Sequence, residues 1–461
     1  LLTGMSWRRV FRARLYVRDS LWVLPLAGAV LGALLGSVDV LIERSVHVSP
    51  EFQYSSSTAS TVLAAIVGAT AALTGFVVTV TTLVVQMATG TFSARYMRLW
   101  YRDRMLKVLL AVLVGTLAFS FSLMRRVETN FVPNIGVSVA GGLLILGLLV
   151  FLVFLDRYLH RLRPVAVAAL VHDYFRRNFE YEVRRAANPE VFLGALDAGG
   201  EEPALTVRSP RAGAIQALDG EALVGWAREQ DSLVVLRHGI GDFVPWGARL
   251  IDVYGGHAPG GGAELRLSDM VALGDERTIE QDPSFAIRIL VDVANLALSP
   301  AVNDPTTAVQ VLDYLGETLR LVGTTELSVQ TWGDGDRPSH GVVIPARSWE
   351  DYLSLTVDEI REYGAGGIQI MRRLRAMLEE LHDEVRPEYR PAVRDELVRL
   401  DATIERSFGG SIDFDRASIA DTQGIGGPRT RRADPPLLAD GAHSPIGGED
   451  GRGETRFDIP Q

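Results

Sequence analysis

The sequence predicts an α-helical transmembrane region of four spans followed by an α+β cytoplasmic domain that contains a small β-barrel-like segment. Three observations carry this. Four apolar runs crowd the N-terminal part, at about 21–42, 58–88, 106–124 and 135–155, each near or above the ~20 residues that cross a bilayer as helix. Charge then changes sign: residues 1–163 hold 16 Lys+Arg against 7 Asp+Glu, net +9, whereas the remainder holds 30 against 49, net −19. Beyond residue 200 the apolar pattern shortens into alternating runs cut by Gly, Pro and Asp, the pattern of strands and tight turns.

The chain divides accordingly into a membrane region, 1–163, and a cytoplasmic region, 164–408, β-rich over 205–255 and helical over 283–322 and 348–408. The tail, 409–461, is rich in Gly, Pro, Asp and Arg without an apolar period, the composition of a disordered segment. The first apolar run is too long for the 7–15-residue core of a cleavable signal and is read as a span. Translation is expected to start at Met5.

Arginines set the orientation. Arg8, Arg9, Arg12, Arg14 and Arg18 precede the first span; Arg95, Arg98, Arg102, Arg104 and Lys107 lie between the second and third; Arg157, Arg161 and Arg163 follow the fourth. The alternate loops hold only Arg44, Arg125 and Arg126, so both termini and the large acidic part are expected in the cytoplasm.

Within the second span, Gly68, Gly75, Thr79, Thr82 and Gln86 follow one another at intervals of 7, 4, 3 and 4, which places them on one helix face. Such a face suits close helix packing, since small residues let backbones approach. It equally suits a hydrated seam along a transport path, and Gln86 near the cytoplasmic end favours that reading because an unsatisfied amide in lipid is costly. Asp39 and Glu43, four apart at the end of span one, could gather cations at an outer mouth, or simply face headgroup water. Asp156 and His160 repeat the spacing at the end of span four, where capping or pairing with nearby arginines is expected.

The water-facing region opens with an amphipathic helix, "PVAVAALVHDYFRRNFEYEVRR", that continues span four. Residues 205–255 resemble the barrel-sandwich hybrid of biotinyl and lipoyl domains in "SPRAGAI" and "GIGDFVPWGARLI". Those carriers modify a lysine and this segment has none, so a small scaffold is implied rather than cofactor attachment. Asp282-Pro283 reads as an N-cap with proline in the first turn, and Asn303-Asp304-Pro305 repeats it after Pro300 ends the preceding helix. Between the two, Arg288, Asp292, Asn295 and Ser299 form a polar stripe on an otherwise apolar helix. A helix joint explains Asp304 and its prolines; the stripe with Asn303 needs partners if buried, as a subunit interface or a small-ligand clamp would supply. Further on, "LSVQTWGDGDRPSHGVVIP" reads as a hairpin.

Two stretches, "LGDERTIEQDPSFAIRILVDVANLALSPAVNDPTTA" and "VVQMATGTFSARYMRLWYRDR", resemble the family of predicted bacterial membrane proteins called domain of unknown function 2254. The resemblance covers about residues 8 to 410. It implies a bacterial inner-membrane protein with a four-span membrane region and a cytoplasmic domain, and it brings no catalytic residue or substrate.

Residue absences narrow the function. With no cysteine, thiolate nucleophiles and Cys-ligated metals are excluded. Lys107 is the only lysine, so no phosphate-binding Gly-Lys-Ser/Thr loop exists. The eight histidines show no ligand spacing, and no nucleophile elbow or paired-carboxylate motif appears. No enzyme activity, cofactor or metal is expected. The −19 of the soluble region argues against nucleic acid as a partner. The partners that remain are the lipid bilayer, further copies of the chain and a small ion or solute. The expected function is an oligomeric channel or transporter with a cytoplasmic regulatory domain; the alternative is a membrane-anchored sensor or scaffold that conducts nothing.

Overall fold

The computed structural model describes residues 6–43, 53–91, 95, 102–129, 131–161, 163–185, 202–256, 260–327, 330–333 and 341–426. A short amphipathic helix, α1 (Trp7–Asp19), precedes four long ones: α2 (Val23–Glu43), α3 (Ser56–Thr91), α4 (Arg104–Met124) and α5 (Asn134–Arg161). All four are long and apolar enough to cross a membrane, and α4 is the most buried of them. At the centre of the bundle Leu109, Leu113 and Leu123 of α4 are fully enclosed. Gly28 and Gly32 bring α2 into backbone contact with α4: a methyl group built on Gly32 would stand 2.1 Å from the Gly115 carbonyl oxygen. Small residues at such crossings are what lets transmembrane helices approach. Asp103 starts α4 by accepting hydrogen bonds from the Met105 and Leu106 amides at 2.7 and 3.2 Å.

The chain then enters α6 (Pro164–Arg185) and a β-containing stretch: β1 (Leu205–Arg208), β2 (Gly213–Leu218), α7 (Gly220–Glu229), β3 (Ser232–Leu236), β4 (Phe243–Val244), β5 (Arg249–Gly255), α8 (Ala263–Asp269) and β6 (Val271–Gly274). Two more strands, β7 (Gln330–Gly333) and β8 (Gly341–Ile344), come from the expected hairpin, whose Gly-Asp-Gly-Asp turn falls largely outside the described residues. One sheet runs β1-β5-β3-β8-β7 and the other β4-β2-β6. Among the described residues only β3 and β8 pair in parallel, with Val234 opposite Val342. The strands therefore close no barrel; they form two sheets, because β8 and β7 extend the edge that a closed barrel would need to seal. Asp252 lies fully buried on β5, where burial alone would raise its pKa. Bonds from Thr206, Arg237 and Arg249 outweigh that and hold it below the usual carboxylate range.

The remaining helices are α9 (Pro283–Ala297), α10 (Pro305–Gly323), α11 (Trp349–Tyr363), α12 (Ile368–Glu384), α13 (Arg390–Phe408) and a short α14 (Phe414–Ala417). Their apolar faces do not form a separate core. Val77 and Val84 of α3, Leu106 and Leu109 of α4 and Phe154 of α5 join Phe175 and Phe179 of α6, Leu290 of α9, Leu312 of α10 and Met371 of α12 in one continuous cluster. The four long helices and the helical extramembrane part are thus packed together, and the chain to Gly426 is one compact unit. Within the stretch read by composition as tail from Gly409, residues 409–426 are described and ordered. Residues 409–426 carry α14, and the Asp421 carboxylate gathers the amides of Gln423, Gly424 and Gly426 at 2.8–3.1 Å, while Arg372 donates to the Ile419 carbonyl at 3.1 Å. Residues 427–461 lie outside the described residues.

Candidate functional site

The polar stripe of α9 sits where the extramembrane helices meet the end of α3. The i, i+4 spacing sets Arg288 beside Asp292, with Nη2 at 2.6 Å from the carboxylate. The same guanidinium reaches across to α11 and grips Glu359 through two N–H groups, at 2.5 and 2.7 Å. Asn295, one turn further along α9, donates to Glu359 at 2.7 Å. Arg95, from the segment after α3, pairs with Asp292 from the other side. Hydrogen bonding to Glu359 holds Arg288 above the ordinary arginine range, and the bond from Arg288 holds Glu359 below the usual carboxylate range. Four charges and an amide therefore tie three pieces of chain, two of them helices of the extramembrane part and the third attached to a span.

Ser299, Asn303 and Asp304 do not join this network. The Ser299 hydroxyl turns back to the Leu296 carbonyl at 2.7 Å, and the Asn303 amide donates to the Ser299 carbonyl at 2.8 Å. Asn303 adopts φ +48°, a left-handed conformation that asparagine tolerates better than most residues. Asp304 caps α10, accepting from the Thr307 amide at 3.0 Å and the Thr307 hydroxyl at 2.5 Å. The stretch from 288 to 304 thus splits into an ion-pair network and an ordinary joint between helices.

On α3, the face bearing Gly68, Gly75, Thr79, Thr82 and Gln86 points away from the protomer, and all five residues are exposed. The opposite face, with Val77 and Val84, is the buried one. Beside Gly68 and Gly75 there is open space. Thr79 and Thr82 donate to their own helix, to the Gly75 and Val78 carbonyls, both at 2.9 Å. Asp39 and Glu43 do not form a paired mouth. Glu43 is buried and accepts from the Asn134 and Ile135 amides at 2.5 and 3.3 Å, so it caps α5, while Asp39 lies against the Gly136 backbone. Asp156 is exposed on α5, and the side chain of His160 falls outside the described residues.

One feature had no sequence signal. Glu280 bonds Arg102 at 2.5 Å, Asp19 bonds the same guanidinium at 2.6 Å, and Arg18 stands 3.5 Å from Glu280, a second tie between the span ends and the extramembrane part. The cap of α9 is the one the sequence predicts, but its burial was not legible. Asp282 is 3 % exposed; its Oδ1 accepts from the Phe285 amide at 3.1 Å, and Oδ2 finds no hydrogen-bond partner among the described residues. Burial pushes its carboxyl up to about 6. The folded protein therefore binds this proton more tightly than the unfolded chain, whose aspartates titrate near ~3.9. The associated stability is full below about pH 4, declines as pH rises towards 6, and is gone above it, a change of roughly 3 kcal/mol. Melting temperatures at pH 4.5 and 7.5 should converge in Asp282→Asn relative to the parent; an unchanged difference would refute this assignment. Among the described residues no group of three or more His, Asp or Glu is placed to hold a metal.

A multi-pass membrane region of four candidate spans, fused through one core and two sets of ion pairs to an α/β extramembrane part, defines the class. The chain belongs to the family described as predicted membrane protein (DUF2254), whose model matches residues 18–380. It is similar to an uncharacterized protein of Mycobacterium tuberculosis (strain CDC 1551 / Oshkosh), with 26% identity over 427 residues, 88% of this chain and 79% of that protein. An uncharacterized protein of Mycobacterium bovis (strain ATCC BAA-935 / AF2122/97) matches to the same extent, 26% over 427 residues and the same shares of both chains. No solved structure matches.

Proposed function

We propose that this is an inner-membrane protein, with both termini and the α/β part in the cytoplasm, that assembles as a homo-oligomer around a path for small ions or solutes. In this reading the chain is not an enzyme, and its cytoplasmic part regulates the path. One observation supports it above the rest: the small and hydroxyl-bearing face of α3, from Gly68 to Gln86, looks outward from a protomer whose own centre is filled by leucines of α4. A path formed by such spans would run between protomers, lined by that face. The continuous core and the Arg95–Asp292 pair give the cytoplasmic helices a direct mechanical hold on α3.

The second reading, a sensor or scaffold without conduction, is favoured by the Thr79 and Thr82 hydroxyls, which are satisfied within their own helix and need no water. Liposome flux separates the two. Purified full-length protein should release entrapped small ions, and Thr82→Leu with Gln86→Leu should reduce that release at least tenfold. Oligomers that form yet leak none of the common monovalent or divalent ions would favour the scaffold.

A further inference from the structure

At the junction of the spans with the extramembrane part, a cavity of about 1000 Å³ opens between the α1–α2 turn, the start of α4, the end of α5 and α6. Six cations line it: Arg18, Arg102, Arg104, Lys107, Arg157 and Arg177. The carboxylates near them are largely engaged. Asp19 and Glu280 hold Arg102, Asp173 stands 3.6 Å from Arg177, and Asp103 caps α4. Lys107 donates to the Arg18 carbonyl at 2.5 Å, and the carboxylate that acts on it, Asp19, is already bonded to Arg102. Arg104 and Arg157 are exposed and form no ion pair among the described residues. The cavity therefore presents an excess of positive charge at the depth of lipid headgroups.

Its other wall is apolar, with Val23, Leu24, Met105 and Leu170. Leu24 also lines a second cavity, a groove of about 600 Å³ that follows α2 and α4 past Leu31, Leu35 and Val112 as far as Ile42. At ~1.5 Å per helical residue this groove runs more than half of the ~30 Å hydrocarbon core, long enough for one acyl chain. A basic chamber at headgroup depth and an apolar trough meeting at Leu24 are complementary to the two ends of a single molecule.

We propose that these joined cavities bind an anionic phospholipid from the leaflet on the side of the extramembrane part, its phosphate among Arg104, Lys107 and Arg157 and one acyl chain along α2. Basic pockets between membrane helices are a recognised mode of anionic-lipid recognition. A zwitterionic lipid would bring an ammonium group against the arginines, and free phosphate would gain nothing from the trough. Conduction is irrelevant to this site, and it stands whether or not the chain forms a path.

Native mass spectrometry of the full chain in detergent, titrated with phosphatidylglycerol or with phosphatidylcholine of the same acyl composition, tests it. Phosphatidylglycerol should be retained in preference. In Arg104→Gln with Arg157→Gln its apparent affinity should fall roughly thirtyfold, from about one basic-residue increment at each position. Each single variant should lose about fivefold, and since neither arginine is buried or paired, both should fold. Arg12→Gln with Arg14→Gln removes the same charge from the exposed face of α1 and should leave the affinity within about twofold. Equal retention of the two lipids, or equal losses in the two double variants, would overturn the proposal. Displacement of the lipid by millimolar inorganic phosphate would also overturn it, by showing a soluble-anion site.

Discussion

Asp292→Ala should destabilise the protein by roughly 3–5 kcal/mol, the magnitude expected when one partner of a buried ion pair is removed and the other is left uncompensated. Asp292 is only 12% exposed at its side chain and sits between Arg288 and Arg95. Asp292→Asn keeps the shape but halves the hydrogen-bonding match to two guanidinium groups, so it should lose most of the same stability. Arg95, 52% exposed, contributes less than Arg288, because exposed ion pairs are screened. Asp304 provides the internal comparison: it is a cap, asparagine caps as well as aspartate, and Asp304→Asn should be near neutral, with Asp304→Ala lower by about 0.5–2 kcal/mol. Thermal melts of the four variants in detergent check this. Equal effects of the asparagine substitutions at 292 and 304 would contradict the division of this segment into network and joint.

Gly32→Val should be the most damaging small substitution in the membrane region. A Cβ at Gly32 would stand 2.1 Å from the Gly115 carbonyl oxygen and one at Gly28 would stand 2.4 Å from that of Ala111, both rigid backbone atoms that cannot rotate aside. The α2 and α4 helices must then separate, with an overpacking penalty of about 3 kcal/mol or more. Gly68→Ala and Gly75→Ala meet open space and remove only the flexibility of glycine in a helix, so the protomer should gain about 0.5–1 kcal/mol. Unfolding of each variant in mixed detergent micelles measures the contrast. A Gly32→Val protein as stable as Gly68→Ala would show that α2 and α4 are not in backbone contact.

What could be read in the sequence was local. Spans appear as apolar length, and the caps at Asp282 and Asp304 follow from an acceptor side chain at the helix start. The Arg288–Asp292 pairing follows from helical spacing. Its further partners could not be read, because Glu359 lies 71 positions from Arg288 and Arg95 lies 197 from Asp292, and no periodicity links them. From their shared helix face, Asp39 and Glu43 suit either an outer mouth or headgroup water. Glu43 caps α5, 91 positions away, since the free amides at that helix start attract a carboxylate more strongly than water does. The barrel-like expectation for 205–255 missed β8, a strand supplied from 341–344 that pairs in parallel with β3. The order of residues 409–426 was not legible because it rests on Arg372 and Asp421 side-chain bonds and on the isolated apolar contacts of Phe414 and Ala417, which make no periodic pattern.

The central claim, that the Gly68–Gln86 face of α3 lies between protomers, is tested most directly by disulfide crosslinking in native membranes. The chain has no cysteine of its own, so single cysteines at Gly75, Thr79 and Thr82 report without background. Leu34, exposed on α2, is the control for chance collision in the bilayer. The account predicts crosslinked dimers at the three α3 positions and monomer at Leu34. Monomer at all three α3 positions, or dimers as abundant at Leu34, would contradict it.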